Sequence, residues 1–600
     1  MGFSRRKLAI IVAAAALAAA GLPVIASGLL GSRFVAAHVE RRLSETAAGL
    51  PGTFSFAVRD VSLQGTISLD SAQAEIGGGE ALVLRDCRLY GAAQWLLFGR
   101  RDFSLVCDSG SADVERLRQA KGGAQTRGDG APIRGRVSVS VREMQIKLGR
   151  FARTFAFRAQ SGSSGASVEL SDPAVGRIAL AGIDMRRGSL VARLSGLKLR
   201  PALAALHSPF SKNVGGTVTG EIEISAGDDG VRGRLKSIAV KDFELSHPLL
   251  SDAPFRVPEV VLSGEASYAA AGRALRLAGV EFLAQGIRLA VDARLDGGAY
   301  SLDARVTDAT PTAVAAILGG DEFKDFDLDG RIDLTVGLKG DLRSGAKVTD
   351  VVVDGAVRDL RQRSARLDRL NGQFGYTFAN GRGEPVRVWV GDGNPDYVPF
   401  AGIPRHVYGA VVVSEDAGFF GHKGIEFKEI ESAIEDNLGS DRPYLRGGST
   451  ITQQVAKNLF LKREKNVVRK VKEAVLAMEI EATVSKERIL EIYLNGIEWG
   501  PGLFGIQAAA RMYFGKTVDK IEPHEAAYLA TIIPNPSRYY SYFIKNELKD
   551  EWYTRIDDLI HRMNFFGYLS VDDFFNYSQK RIVFDRYRPD LPPVPEPLPE

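Results

Sequence analysis

The chain has 600 residues, 45% of them hydrophobic and 25% charged, with a formal net charge of +4. That length exceeds one ordinary core and calls for two or more domains, and the balance excludes a disordered or collagen-like chain. So small a net charge gives no ground for nucleic acid as a partner, which leaves any basic function local.

At the N-terminus Arg5, Arg6 and Lys7 precede an uncharged Ala/Leu/Ile/Val-rich run from Leu8 to Ser32. At about 1.5 Å per residue the run is long enough to span a bilayer, so residues 1–32 read as a transmembrane signal anchor. The basic flank favours an inside N-terminus and puts everything after Arg33 on the far side of the membrane. The competing reading is a cleaved signal peptide, with the small residues Ala26 and Ser27 at the cleavage site.

Residues 33–383 read as β-rich, with short alternating runs separated by Gly, Asp and Asn. Ile287 to Leu295, then Asp296-Gly297-Gly298, then Tyr300 to Val306 is apolar alternation on both sides of a turn, which predicts a hairpin. Val137–Val141, Val218–Ile224 and Ile332–Leu338 alternate likewise, which suggests an extended antiparallel sheet. Phe34–Ala48 and Pro311–Leu318 look helical. The two cysteines, Cys87 and Cys107, lie in strand-like text; a disulfide and a pair of buried thiols both fit. One membrane helix followed by such strands resembles the AsmA-like envelope proteins, whose sheets form a groove associated with lipid handling. A rigid spacer or docking module fits the same text, and no motif here carries chemistry.

From about Pro385 the text becomes helical, with Ile489, Leu490, Tyr493 and Leu494 at three- and four-residue spacing. Ser414 to Gly424 packs Glu415, Asp416 and His422 just after the apolar run Val411–Val413. A carboxylate there either loses solvation and becomes a better base, or is simply a solvated helix end. Arg446 to Asn458 is a Gly-rich turn opening into a helix, with Thr450 and Gln453 at capping-box spacing. With Lys457 about one turn further on, this segment suits phosphate oxygens, though such caps are common. Arg469 and Glu473 share a helix face at i, i+4, either as a surface ion pair or as part of a cleft that balances leaving-group charge.

Together and in this order, these segments resemble the peptidoglycan glycosyltransferases, the family with a lysozyme-like helical fold found in penicillin-binding proteins. Glu415, Asp416, Phe419, His422 and Gly424 meet its first motif, and Gly447 to Asn458 its second. Arg469, Lys470 and Glu473 meet the third, Lys486 with Ile489–Asn495 the fourth, and Ala508–Lys516 the fifth. Ile497–Gly505 and Ile533–Pro536 look most like the monofunctional biosynthetic transglycosylases. The resemblance covers residues 385–545, with 546–600 left as a helical tail and Pro-rich end, and no transpeptidase domain is expected after it.

With the membrane anchor and the β-rich antiparallel region read above, the resemblance implies a multidomain protein whose C-terminal, mainly α-helical, lysozyme-like glycosyltransferase domain stands in the periplasm. The implied reaction polymerises lipid II onto a growing lipid-linked glycan chain in β-1,4 linkage, releasing polyprenyl diphosphate. Glu415 is the implied base, and Glu473 the second catalytic carboxylate and the candidate ligand of Mg²⁺ or Mn²⁺. Asp416, Phe419, His422, Gly448, Ser449, Thr450, Gln453, Gln454, Lys457, Asn458, Arg469, Lys470 and Asn495 are the implied substrate-side residues. Among them His422 is read as orienting, because Glu415 already takes the proton, and Ser449, Thr450, Gln453 and Gln454 either position sugar or phosphate oxygens or hydrogen-bond within the domain and hold the cleft in shape. Phe419, Phe420, Ile425 and Phe427 either dip into the membrane or pack the core. Other cell-wall or envelope proteins are further candidate partners. The rival functions are a lysozyme-like hydrolase, which has no task for the Lys/Arg set, and a lipid-transfer or scaffold protein carrying a retired enzyme.

Overall fold

The computed structural model describes residues 53–585 except 62–65, 91–102, 114–115, 117–136, 149–150, 163–164, 185–187, 206–208, 228–229, 248–253, 270–273, 345–346, 380–384, 439–447 and 462–465, together with Ala37, Glu40 and Arg41. The expected anchor at 1–32, nearly all of the expected helix Phe34–Ala48, and Arg446 and Gly447 lie outside the described residues. Among the described residues no helix is long and apolar enough to cross a membrane.

The chain divides into two compact units, one holding 1–246, 254–284 and 290–301, the other 247–253, 285–289 and 302–600. In the first, strands from Thr53–Val61 to Ala274–Ala284 each hydrogen-bond to the next in chain order. Alternation drives this: in Ile67–Ile76 every second residue is buried in two runs, Ile67 and Leu69, then Ala72, Ala74 and Ile76, and the slip between them falls where the pairing with Thr53–Val61 shifts register. Among the described strands one pairing departs from the antiparallel expectation. Phe103–Asp113 and Val137–Leu148 run parallel, which needs a crossover of a dozen or more residues, and the stretch 114–136 between them is long enough for one. Cys87 and Cys107 stand directly opposite each other on neighbouring strands and form a disulfide, which decides between the two readings of these cysteines. Leu199–Ala205 is a short helix (α1). Strands Ile287–Asp296 and Ala299–Ala309 flank the expected Gly-rich turn.

The second unit is mainly helical and its described residues also form antiparallel pairs, Leu328–Asp341 with Lys347–Gln362, Phe374–Ala379 with Pro385–Val390 and the short Glu498–Gly500 with Leu503–Phe504. Its helices are α2 (Pro311–Leu318), α3 (Arg405–Glu415), α4 (Phe427–Leu438), α5 (Ile451–Phe460), α6 (Val467–Thr483) and α7 (Lys486–Gly496). They continue as α8 (Ile506–Phe514), α9 (Pro523–Ile532), α10 (Pro536–Lys545), α11 (Asp550–Phe565) and α12 (Val571–Tyr577). Polar caps set where the helices near the site begin: Asn466 accepts from the Arg469 N–H before α6, and Ser485 from the Arg488 N–H before α7. Helix α9 is apolar nearly all round and lies in the core, as such a helix must.

This unit is wider than residues 385–545. Trp552, Ile556, Leu559 and Met563 of α11 share its main core with Phe374, Val388 and Val390 of the second pair. A second cluster joins Ala315 and Leu328 to Ile425, Val475 and Met478, so the last strands of the β-rich text back directly onto α6. Beside it, Arg366 grips the fully buried carboxylate of Glu479 with two bonds of 2.6 Å, and Lys472 pairs with Glu322 at 2.5 Å.

Candidate functional site

Helix α3 buries Val407 and Ala410 to Val413 and delivers Glu415 as its last residue, half-buried. Burial pushes the Glu415 carboxyl up; the Gln454 amide and the charge of Lys457 oppose that, and neighbouring Asp416 adds to it. The raised pKa makes it a stronger base than a solvated carboxylate. The Gln454 Nε2 donates to Glu415 Oε2 at 2.9 Å, and the Tyr493 hydroxyl donates to Gln454 Oε1 at 3.0 Å. Helix α5 supplies Gln454 and Lys457 three residues apart, on one face.

Under this carboxylate lies a fully bonded bracket. Asp416 accepts from the Ile451 N–H at 2.9 Å and from His422 Nε2 at 3.0 and 2.9 Å. The Gly424 N–H donates to His422 Nδ1 at 3.0 Å, so Nδ1 is the accepting nitrogen and Nε2 carries the proton given to Asp416. The Thr450 hydroxyl donates to the Gly424 carbonyl at 2.7 Å and accepts from the Gln453 N–H, while Gln453 Oε1 accepts from the Thr450 N–H at 2.9 Å. Gly424 itself sits at φ +91°, and a Cβ there would lie 2.9 Å from the Ala477 backbone of α6. Asp416, placed on the substrate side by the resemblance, thus joins His422, in its orienting role, and Thr450 and Gln453, in the second of their two readings, in tying the first two motifs together. Asn495 is the same kind of residue: buried, its amide is bonded to the Val398 N–H and carbonyl and to the Glu491 carbonyl at 2.8–2.9 Å.

The basic side is separate in kind. Lys470 bonds the Ser449 hydroxyl and lies 2.7 Å from Glu473 Oε2, while Arg469 pairs with Glu473 Oε1. Burial and the charges of Arg469 and Lys457 push the Lys470 ammonium down to about 8. Lys457 thereby acts electrostatically on both Glu415 and Lys470. Gly448 is half-buried in the turn before α5, and Asn458 lines a small crevice with Tyr376, Tyr493 and Gly496. Glu473 is buried with both oxygens neutralised by cations, and one such carboxylate does not fit a resident divalent ion, which takes several oxygen ligands.

Of the four aromatic and apolar residues weighed for the membrane, Phe419 is fully buried and Ile425 and Phe427 pack against Val475 and Met478. Phe420 alone of the four is exposed, at 46%. Two side chains absent from the expected site join it. Lys486 stands 4.3 Å over the Phe419 ring and 2.7 Å from Glu481 Oε1, which also accepts from the Thr452 hydroxyl at 2.6 Å. Tyr493 is the other; its place in an apolar helical spacing hides a polar role.

Residues 382–564 match the family described as Transglycosylase. Proteins named biosynthetic peptidoglycan transglycosylase are similar over the same part of the chain. That of Azoarcus sp. is 49% identical over 143 residues, 24% of this chain and 62% of its own length. That of Nitrosomonas eutropha is 51% identical over 144 residues, 24% of this chain and 58% of its own. That of Aromatoleum aromaticum is 47% identical over 148 residues, 25% of this chain and 64% of its own. The chain thus spans about three fifths of the length of the curated relatives it matches.

Proposed function

We propose that the transglycosylase domain polymerises lipid II into β-1,4-linked glycan strands with release of polyprenyl diphosphate, in cell-wall synthesis. The observation that carries this reading is a carboxylate raised by burial, Glu415, coupled through Lys457 to a basic group comprising Arg469 and Lys470. Glu415 removes the proton from the 4-hydroxyl of the incoming sugar as that oxygen attacks the anomeric carbon. The bond from that carbon to the lipid diphosphate breaks, the configuration inverts, and the diphosphate leaves with its electron pair. Lys457, Arg469 and Lys470 stabilise the charge growing on the leaving group, with Ser449 holding Lys470 in place. No step is routed through a metal ion.

A glycosidase needs two carboxyl groups flanking the bond, one of them free to act on water or sugar. Glu473, tied to two cations, is poorly suited to that task. The intact set of Glu415, Lys457, Arg469 and Lys470 also speaks against a retired enzyme serving only as a lipid carrier. On this reading the chain is anchored in the inner membrane with the domain in the periplasm, and lipid II and the growing glycan lipid are its substrates. The test is polymerisation of labelled lipid II in detergent by the full chain and by Glu415→Gln.

A further inference from the structure

We propose that Tyr493 is a positioning residue for Glu415, acting through the side-chain amide of Gln454 to hold the carboxylate in its proton-accepting form. The inference rests on the glycosyltransferase reading for its consequence in catalysis, though its geometry stands alone. A primary amide has one end that only accepts and one that only donates. The Tyr493 hydroxyl donates to Gln454 Oε1 at 3.0 Å and the Gln454 Nε2 donates to Glu415 Oε2 at 2.9 Å; with the amide reversed the phenol oxygen would accept from it, and the buried phenol proton would lose the acceptor it has among the described residues. A half-turn of the amide would set its oxygen against the carboxylate, an arrangement tolerated only when Glu415 carries a proton. Tyr493 therefore selects the amide orientation that favours ionised Glu415.

Three features make the tyrosine a dependable donor. Its ring is buried in α7, with 1% exposure, so its hydroxyl is not shared with bulk water. Burial and the charges of Glu415 and Asp416 raise its ionisation well above the usual phenol range, so it keeps its proton at any working pH. Gln454 Oε1 is the acceptor its hydroxyl has among the described residues. The charged groups acting on Glu415 are Asp416, next to it at the end of α3, and Lys457 from α5; α7 contributes the neutral Tyr493. Lys457 pulls the carboxyl down as Gln454 does, but from an exposed position on α5. The amide is thus the part of this balance that Tyr493 controls.

The test uses the full chain and Tyr493→Phe, which removes one oxygen from a ring that keeps its shape. Polymerisation is measured as kcat/KM against pH. With the amide free to turn, the Glu415 pKa rises, so the acid limb moves up by about one pH unit, a tenfold loss on that limb. A side chain that only fills the core would lower the plateau or the melting temperature without moving the limb. Gln454→Leu is expected to shift the limb in the same direction, and the double variant to shift it no further than Gln454→Leu alone. Superposed wild-type and Tyr493→Phe limbs, or additive shifts in the double variant, overturn the proposal. An infrared titration of the Glu415 carboxyl, isolated by subtracting Glu415→Gln, needs no activity. If the wild type makes no polymer but this titration shows the same upward shift, the positioning role stands and the glycosyltransferase reading falls; an unshifted carboxyl overturns the role.

Discussion

Arg366→Ala leaves the Glu479 carboxylate, 0% exposed, without its cation. The wild-type guanidinium gives it two bonds of 2.6 Å, and Gln362 Nε2 adds one of 3.0 Å. Removing one partner of a buried pair costs about 3–5 kcal/mol, because an uncompensated charge stays behind. The surviving Gln362 bond returns about 1 kcal/mol, leaving roughly 2–4 kcal/mol of destabilisation. For a unit of this size that is a drop in melting temperature on the order of 10 °C. The control is Arg366→Met with Glu479→Leu, which removes both charges and is expected to be far less harmful than the single change. Thermal melts of the full chain by circular dichroism decide it. A single variant that loses less than about 1 kcal/mol, or a double variant worse than the single, refutes the reading that this pair ties the turn after Lys347–Gln362 to α6.

Thr450→Val removes the α5 cap and its bond to Gly424, and is expected to cost about 1–2 kcal/mol in the same melts. Reducing the Cys87–Cys107 bridge, whose ends are 20 residues apart, is expected to destabilise the first unit by about 3 kcal/mol, read as a lower denaturant midpoint with thiol present. Lys470 sits at about 8, well below an ordinary lysine, so its charge is present below that pH and lost as pH rises through it. The alkaline limb of kcat/KM is therefore expected near pH 8 and to disappear in Lys470→Arg, whose guanidinium stays charged; an unchanged limb in that variant assigns it to another group.

Local signals carried much of this molecule. Asp296-Gly297-Gly298 marks its turn by backbone freedom, and the Pro311–Leu318 helix is framed by its own Thr310 cap and Gly319 stop. The capping box of Thr450 and Gln453 stands where the spacing puts it. What the text hid depends on partners far apart in the chain. The parallel pair of strands requires knowing where a long crossover returns, and Arg366 meets Glu479 across 113 positions. Motif resemblance gathers Asp416, His422 and Asn495 with the substrate-side residues because it records position; their polar atoms turn out to bond the framework. Tyr493 escapes for the opposite reason, since an aromatic at helical spacing reads as core and only its hydroxyl distinguishes it.

The central claim is that Glu415 is the base of a lipid-linked glycan polymerase. The most direct measurement is the length distribution of product from labelled lipid II, with wild-type full chain against Glu415→Gln of equal melting temperature. The account predicts long strands from the wild type and at least roughly a hundredfold less from the variant. Polymer of equal length and amount from both would contradict it.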